Sequence, residues 1–372
     1  MATSKNPHSR TRRTTGSRRS DKHQLDLALQ GGGSHGAFTW GVLERLLDEE
    51  WLEIAGISGT SAGAMNAVTM AAGLMEDGRD GAKRKLEQFW TSVATKSPFD
   101  MSTMSHPAWE AALPWWNAWM TPLQQYMSFV GSHLSPYQFN PLNLNPLRKI
   151  LEDTVNFEWV RSCDKSSLYI AATHVTTGEL KVFKQSELTV DMVLASACLP
   201  MLFQAVEVEG QAYWDGGYAG NPTLLPLVAK TRADDLLLVQ INPTERIELP
   251  TKAMDIMDRT DEVTFNTSLL KELKALALVK TLIGHSGCPK GRSDEAEFYQ
   301  RVDRLRLHRL TGDEALTHLG ASTKLKTDWP FISGLRQAGR EAATHWLEAH
   351  AKDLGKRSSY ALPDVMAAIR EA

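Results

Sequence analysis

Two glycine-rich turns, each between a strand-like run and a helix-like run, constrain the fold of this chain more than any other feature. LDLALQ leads through Gly31–Gly36 into AFTWGVLERLLDEE, and EIAGIS leads through Gly59–Gly63 into AMNAVTMAAGLM. The first run of each unit is short and apolar, whereas the second carries apolar residues at helical steps. This repeated order of strand, turn and helix predicts an α/β fold with a mostly parallel sheet covered on both faces.

The later sequence continues this alternation and then becomes mainly helical. SLYIAAT, LKVFK and DLLLVQIN are strand-like, VDMVLASA is helix-like, and AVEVEGQAYWDGG alternates around Gly210 as a hairpin does. After Pro243 come a long helical segment, the strand-like DRLRLHRL and a terminal helix. We therefore expect a three-layer domain with a largely helical C-terminal extension. Either the last strand of this extension completes the sheet, or the extension caps a functional site of the domain. The apolar stripe of the terminal helix, which indicates core packing rather than membrane contact, is formed by Phe331, Leu335, Ala338, Ala342 and Trp346.

The charge distribution argues against a body that binds nucleic acid. The chain has 372 residues and a formal net charge of -3, and residues 1–22 hold seven of its 41 basic but only one of its 44 acidic side chains. The rest of the chain is therefore acidic, unlike a nucleic-acid-binding surface. We interpret residues 1–22 as a disordered, solvated basic arm. The alternative is that its charge attracts anionic lipid.

Apolar runs and cysteines bear on location. No apolar stretch follows the arginines of the basic arm, and the chain has no apolar run long enough to span a bilayer. Cys163, Cys198 and Cys288 match no disulfide framework and no zinc ligand set, and no acidic loop has the spacing of a calcium site. We expect a cytoplasmic protein, in peripheral contact with a membrane at most, that needs no metal and no cofactor.

Gly59-Thr60-Ser61-Ala62-Gly63 is a G-x-S-x-G sequence between a strand and a helix of small residues. On such a sharp turn the serine Oγ projects from the end of the sheet, and the N-terminus of the next helix favours developing negative charge. This arrangement is typical of a nucleophilic serine. The alternative is an ordinary helix entry that Ser61 caps.

Gly31-Gly32-Gly33-Ser34-His35-Gly36 exposes backbone N–H groups at the start of a helix, where an anion can bind. The anion is either the oxyanion of an acyl transfer or a phosphate, because Gly31, Gly33 and Gly36 also fit the dinucleotide pattern G-x-G-x-x-G. A dinucleotide site needs an acidic residue at the end of the next strand. That strand leads instead into Gly59–Gly63.

Trp214-Asp215-Gly216-Gly217 closes the hairpin-like segment. In isolation the Asp-Gly pair indicates an ordinary hairpin turn. Together with the other two motifs, it makes Asp215 a candidate base for Ser61.

The three motifs, in this order, resemble the patatin-like phospholipase family, which has a glycine-rich oxyanion loop, a G-x-S-x-G nucleophile and a D-G-G or D-G-A aspartate. The resemblance covers roughly residues 25–245 and includes SACLPMLFQAVEVEGQAYWDGGYAGNP. It implies a patatin-like fold and a dyad of Ser61 and Asp215 without a catalytic histidine. The oxyanion hole that it implies consists of Gly31, Gly32, Gly33 and Ser34. The glycines that would support these turns are Gly36, Gly59, Gly63, Gly216 and Gly217.

The function that follows is a serine acyl-ester hydrolase acting on phospholipid, lysophospholipid or another lipid acyl ester. The alternatives are a hydrolase of another hydrophobic ester or a storage polyester, a dinucleotide-binding protein, and a lipid-binding protein of low catalytic activity. A Ser-His-Asp triad with His285, His308 or His318 is a chemical rival that the residue spacing disfavours. His35 departs from the family, which commonly has arginine or lysine there, and a free imidazole is mostly neutral at pH 7.

The domain organisation predicted from the sequence has three parts. These are the basic arm of residues 1–22, a catalytic domain of residues 23–245 and a C-terminal extension of residues 246–372 packed on the core. Residues 97–146 form an insertion rich in proline and aromatic side chains. This insertion is either a lid over the site that touches lipid or a set of tryptophans that fills the core.

Overall fold

The computed structural model describes residues 22–96, 134–246 and 248–365. Almost all of the basic arm, and residues 97–133 of the aromatic insertion, lie outside the described residues. The two interpretations of the insertion therefore both remain predictions.

The described part of the chain contains an eight-stranded sheet in the order β5-β6-β3-β2-β1-β7-β8, with β4 also paired to β3. Neighbours among β3, β2, β1, β7 and β8 run parallel, whereas β4, β5 and β6 join antiparallel. The mostly parallel sheet predicted from the sequence is confirmed. The strands are β1 (His23–Leu29), β2 (Leu52–Gly59), β3 (Ser167–His174), β4 (Leu180–Lys184), β5 (Val206–Val208), β6 (Gln211–Asp215), β7 (Asp235–Gln240) and β8 (Arg306–Thr311).

Helices connect the strands and then dominate the C-terminal part. One of them, α2, leaves helical geometry at Asp77 and Gly78, where Gly78 has a positive φ of 57°. The helices are α1 (Gly36–Leu47), α2 (Ala62–Lys96), α3 (Pro136–Phe139), α4 (Pro146–Thr154), α5 (Phe157–Ser162), α6 (Val190–Ser196), α7 (Leu225–Lys230), α8 (Ala253–Ser286), α9 (Asp294–Arg304), α10 (Asp313–Leu316) and α11 (Trp329–His350).

Alternate side chains of β1 enter two different apolar cores, one on each face of the sheet. Leu25, Leu27 and Leu29 pack with α1, α2 and α11. Ala28 points the other way and packs with α7, α8 and α9. Because successive side chains of a strand point to opposite faces, this central strand is buried on both faces from Leu25 to Leu29. The three layers of helix, sheet and helix follow directly.

The C-terminal part both completes the sheet and reaches the end of it at which the glycine-rich turns lie. β8 extends the sheet beside β7 in parallel. α11 packs tightly on α1, where a Cβ atom on Gly339 would lie 2.0 Å from the carbonyl oxygen of Phe38. Leu335 and Trp346 are buried, as the apolar stripe predicts. A short 3₁₀ helix (Ala321–Leu325), called the C-terminal turn below, contacts the 3₁₀ turn that precedes α1.

Two features of the described residues bear on environment. The three cysteines are free thiols. Within residues 22–96, 134–246 and 248–365, no helix combines the length and the apolar character that crossing a membrane requires.

Candidate active site

The sheet brings the two glycine-rich turns side by side. β1 and β2 are parallel neighbours, and Leu29 at the end of β1 pairs with Gly59 at the end of β2. The turns that follow these residues therefore emerge at the same edge of the sheet. This edge is the carboxyl end of the strands, where open α/β sheets generally bind ligands.

Ser61 lies on a sharp turn between β2 and α2. Its backbone φ is +53°, a left-handed conformation that is costly for a residue with a Cβ atom and that is held by the surroundings. The Ser61 N–H donates a 2.9 Å hydrogen bond to Ser196 Oγ, and the Thr60 hydroxyl donates to the Gly220 carbonyl at 2.7 Å. A Cβ atom on Gly63 would lie 2.3 Å from the Leu29 carbonyl oxygen, so only glycine lets α2 start this close to β1.

Asp215 ends β6 and is 1% exposed. Its N–H donates to the Cys198 carbonyl at 2.8 Å, and its Oδ1 accepts a 2.7 Å hydrogen bond from the Gly217 N–H. No hydrogen bond of ordinary geometry reaches Oδ2 from the described residues. Burial raises the pKa of Asp215 to about 6, although the Gly217 N–H, the nearby Ser61 hydroxyl and the charge of Lys324 lower it. The carboxylate can therefore take up a proton near neutral pH.

The glycine loop, Gly31–Gly36, is held by three amide side chains. Asn221 Oδ1 accepts a 2.7 Å hydrogen bond from the Gly31 N–H, and Asn242 Nδ2 donates to the Gly31 carbonyl at 2.7 Å. Gln30 Oε1 accepts hydrogen bonds from the N–H groups of the two residues directly after β7. The Gly31 N–H is thus engaged by Asn221 and positions the loop, so it is not a free donor for an oxyanion. Gly32, Gly33 and Ser34, which follow it, line the cavity described below.

His35 does not supply positive charge to this loop. It is 3% exposed, and its Nε2 lies 2.8 Å from the Thr323 hydroxyl in the C-terminal turn. Burial, together with the charge of Lys324, lowers the pKa of His35 to about 3. The imidazole is therefore neutral at physiological pH and acts as a contact between the glycine loop and the C-terminal turn.

A cavity of about 390 Å³ joins the predicted site residues. Ser61, Asp215, Gly32, Gly33 and Ser34 lie along it. Most of the remaining wall is apolar and comes from α2, α4 and the loop after α6; it includes Met65, Phe89, Trp90, Val93, Leu147, Ile150, Leu199, Met201, Leu202 and Phe203. The volume and the apolar wall are those of a site for a small hydrophobic ligand.

The five motif glycines lie in the turns around this cavity. Gly36 begins α1, Gly59 ends β2 and Gly63 lies in the first turn of α2. Gly216 and Gly217 begin the 3₁₀ turn after Asp215. The motifs that are far apart in the sequence therefore meet at one edge of the sheet.

Several residues with clear roles at this site were not predicted. Ser196 and Asn221 lie within the family-like segment, but nothing local distinguishes a buried hydroxyl or amide that bonds a distant turn. Lys324 lies outside that segment and lines the cavity. Its isolated position in a polar stretch gives no signal in the sequence.

The histidines of the rival triad lie elsewhere. His285 and His318 are exposed and neither lines the cavity. His308 is fully buried and its Nε2 lies 2.9 Å from Asp235 Oδ1 at the start of β7, which is the opposite end of the sheet from Ser61. In the parts of the chain that the structure describes, no group of three histidine, cysteine or acidic side chains could hold a metal ion.

Two solved structures and one family model are similar to this chain. No curated protein sequence matches the chain. VipD from Legionella pneumophila has a similar solved structure, with 14% identity, a TM-score of 0.42, and coverage of 88% of this chain and 67% of that one. ExoU from Pseudomonas aeruginosa, solved in complex with SpcU, shares 16% identity with a TM-score of 0.29, over 95% of this chain and 68% of that one.

The sequence model described as "Patatin-like phospholipase" matches residues 27–228. The matched region contains the glycine loop, Ser61 and Asp215, and it makes up more than half of the chain. The chain therefore belongs to the patatin-like phospholipase family.

Proposed function

We propose that this protein is a serine acyl-ester hydrolase of lipids, with Ser61 as the nucleophile and Asp215 as its base. The observation that carries the proposal is the pairing of a serine on a strained turn with a buried carboxylate, both on one apolar cavity, in which Oδ2 accepts no hydrogen bond of ordinary geometry from the described residues. An unpartnered buried carboxylate oxygen is costly for stability. It is useful where it receives a proton.

The reaction proceeds in two balanced halves. Ser61 Oγ attacks the ester carbonyl carbon while its proton passes to Asp215 Oδ2, and the protonated Asp215 then gives that proton to the leaving alcohol. Water attacks the acyl-enzyme in the second half and gives a proton to Asp215. That proton returns to Ser61 Oγ as the fatty acid leaves, so both residues end as they began.

The negative charge of the tetrahedral intermediate falls on the carbonyl oxygen. The N–H groups of Gly32 and Gly33 are its donors, because the Gly31 N–H is bonded to Asn221 while the next two glycines line the cavity. The start of α2, directly after Ser61, adds its positive dipole end. Fixed donors of this kind stabilise the transition state without reorganisation, and each contributes about 100- to 1000-fold in comparable sites.

The experiment that tests this function measures hydrolysis of p-nitrophenyl esters of increasing acyl length and of a glycerophospholipid by the full chain. We expect activity that increases with acyl length, because the cavity wall is apolar. An alkyl fluorophosphonate should add one phosphonyl group to Ser61, seen as an intact-mass increase that Ser61→Ala lacks. Binding of lipid without hydrolysis or labelling would instead favour a lipid-binding protein.

The pH dependence follows from the pKa of Asp215. The base acts only as a carboxylate, and burial raises its pKa to about 6. We therefore expect kcat/KM to rise as the pH increases through 6 and to level off above about one unit beyond that pKa. The measurement uses a water-soluble ester between pH 4.5 and 8.5. A flat profile across that range would contradict a titrating Asp215.

The histidines distinguish the dyad from a triad. We expect His285→Ala and His318→Ala each to retain kcat/KM within about twofold, because exposed side chains away from the cavity contribute little. A loss of a thousandfold in either variant, with the thermal unfolding temperature unchanged, would identify that histidine as catalytic and refute the dyad.

A further inference from the structure

Lys324 brings an ammonium group from the C-terminal part of the chain to the reaction cavity. A Cβ atom on Gly33 would lie 2.3 Å from the Lys324 carbonyl oxygen, so the C-terminal turn lies directly against the glycine loop. The Lys324 side chain lines the same cavity as Ser61 and Asp215. The C-terminal extension therefore contributes a charged residue to the site.

The ammonium group has acidic side chains around it but no direct acceptor among the described residues. Its Nζ lies 5.5 Å from the ring centre of Phe265, but within the described residues it forms no ion pair and no hydrogen bond. Burial lowers the pKa of Lys324, whereas the charges of four acidic side chains raise it, namely Asp261, Glu262, Asp215 and Asp258. A partly desolvated cation without a direct hydrogen-bond acceptor favours an anionic ligand.

Among the described residues that line the cavity, Lys324 is the only lysine or arginine. The other charged residues along the wall are Asp215 and Asp261, and His35 in the glycine loop is neutral because its pKa is about 3. The positive charge that an incoming anion meets beside Ser61 therefore comes from Lys324.

The cavity combines an apolar wall with a cation, and a glycerophospholipid combines acyl chains with an anionic phosphodiester. The apolar wall from α2, α4 and the loop after α6 suits an acyl chain, and Lys324 lines the same cavity beside Gly33 of the glycine loop. In a glycerophospholipid the phosphodiester is separated from the nearest ester oxygen by only two carbons and one oxygen. We propose that Lys324 binds this phosphodiester while the adjacent ester carbonyl faces Ser61. The inference rests on the proposed hydrolase function.

A pair of substrates that differ only in the phosphodiester head group tests the inference. Dioctanoyl-glycerophosphocholine and dioctanoylglycerol carry the same acyl chains, and the exposed carboxylate of Asp261 on the same cavity suits the cationic choline. The measured quantity is the ratio of kcat/KM for the two substrates, at pH 8 in the same mixed micelles. At that pH Asp215 is ionised, so a change in its pKa does not affect the ratio. We expect Lys324→Met to lower the ratio about 10- to 100-fold, the typical effect of losing a hydrogen bond to a charged group.

Two further variants control for charge and for folding. Lys324→Arg keeps the charge and should retain most of the ratio. Lys326→Met removes a lysine two positions away that is paired with Asp328 and does not line the cavity, so it should leave the ratio unchanged. An equal loss on both substrates in Lys324→Met would overturn the inference, because Lys324 would then act on the dyad or on the glycine loop. An unchanged ratio in Lys324→Met would overturn it as well.

Binding by an inactive protein separates this inference from the proposed function. In the Ser61→Ala background, dioctanoyl-glycerophosphocholine should bind more tightly than dioctanoylglycerol, and Lys324→Met should remove the difference. Inorganic phosphate distinguishes a lipid phosphodiester from a free anion. If millimolar phosphate binds as tightly as the phospholipid, the site is a free-anion site and the inference fails. If the wild type hydrolyses neither lipid while this binding pattern holds, only the hydrolase function fails.

Discussion

We expect Asp215→Asn to lower ester hydrolysis by about 10⁴-fold, the upper range for loss of a general base, and Ser61→Ala to lower it further, by about 10⁶-fold. The asparagine keeps the Oδ1 acceptor for the Gly217 N–H. Its Nδ2 replaces the oxygen that takes the proton from Ser61 in the proposed mechanism, so the proposed nucleophile would lose its base while the surrounding contacts remain. The measurement is kcat/KM on a p-nitrophenyl ester at pH 8.

Stability measured in the same variant separates chemistry from folding. The folded-state pKa of Asp215 is raised to about 6, so the folded protein binds more protons than the unfolded chain between its ordinary pKa and 6. The buried charge therefore destabilises the fold as the pH rises through that window. Asp215→Asn should unfold at the same temperature as the wild type, or a higher one, at pH 8. Activity retained within tenfold in a folded Asp215→Asn protein would remove Asp215 from the mechanism.

Matched controls show whether the loss is specific to these positions. Ser58→Ala removes a fully buried hydroxyl from β2 that has no hydrogen-bond partner in the described residues. Asp164→Asn removes an exposed carboxylate that pairs with its neighbour Lys165 at 3.2 Å. Neither side chain lines the cavity. We expect both variants to hydrolyse the ester at close to the wild-type rate.

The parts of the fold that the sequence predicts correctly are those specified by local patterns. Apolar runs of strand length and helical periodicity predict the parallel sheet, and a left-handed turn with close backbone contact requires glycine at positions such as Gly63. The hairpin around Gly210 is confirmed, with positive φ at both Glu209 and Gly210. These features depend on a few consecutive residues, so they can be read without the rest of the chain.

The residues that sequence analysis did not find depend on contacts between distant segments. Asn221 holds Gly31 through one amide oxygen, and Ser196 holds the Ser61 N–H through one hydroxyl. Neither contact leaves a pattern around the residue itself. Lys324 reaches the site because the C-terminal turn packs on the glycine loop. From the sequence, the C-terminal part either completes the sheet or caps the site. In the structure β8 completes the sheet, and the C-terminal turn also lines the cavity.

Asp235→Ala should lower the free energy of unfolding by about 3 to 5 kcal/mol, the cost of breaking a buried ionic network by removing one partner. Asp235 is 1% exposed at the start of β7. It accepts hydrogen bonds from His308 Nε2 at 2.9 Å and from Arg306 Nη2 at 2.9 Å on β8, from the Gly355 N–H at 3.2 Å, and from His23 Nε2 at 3.0 Å on β1. The carboxylate therefore ties three neighbouring strands and the segment after α11 together. Urea unfolding followed by circular dichroism measures the loss.

The pH dependence of this contribution has a definite sign. Burial alone raises the pKa of Asp235, but the hydrogen bonds from His308 and Arg306 outweigh it, and the pKa lies well below its usual range. The contribution is therefore complete above the ordinary pKa of an aspartate and is lost as the pH falls through the acid range. The difference in stability between wild type and Asp235→Ala should accordingly shrink on acidification. A difference that grows as the pH falls would contradict this assignment.

The adjacent Asp234 provides the matched control for Asp235, and His308 provides a test of whether the Asp235 network takes part in the reaction. Asp234 is one-third exposed and pairs with Arg304 at 3.2 Å and with Arg306 at 3.6 Å, so Asp234→Ala should cost less than about 1 kcal/mol. His308 lies between Asp235 and the Ser359 hydroxyl, at 2.9 Å from each, which gives the composition of a triad at the wrong end of the sheet. His308→Gln should therefore destabilise the fold while the folded fraction retains ester hydrolysis. If fully folded His308→Gln lost ester hydrolysis, the network would take part in the reaction. If Asp234→Ala and Asp235→Ala lost equal stability, burial of the carboxylate would not matter.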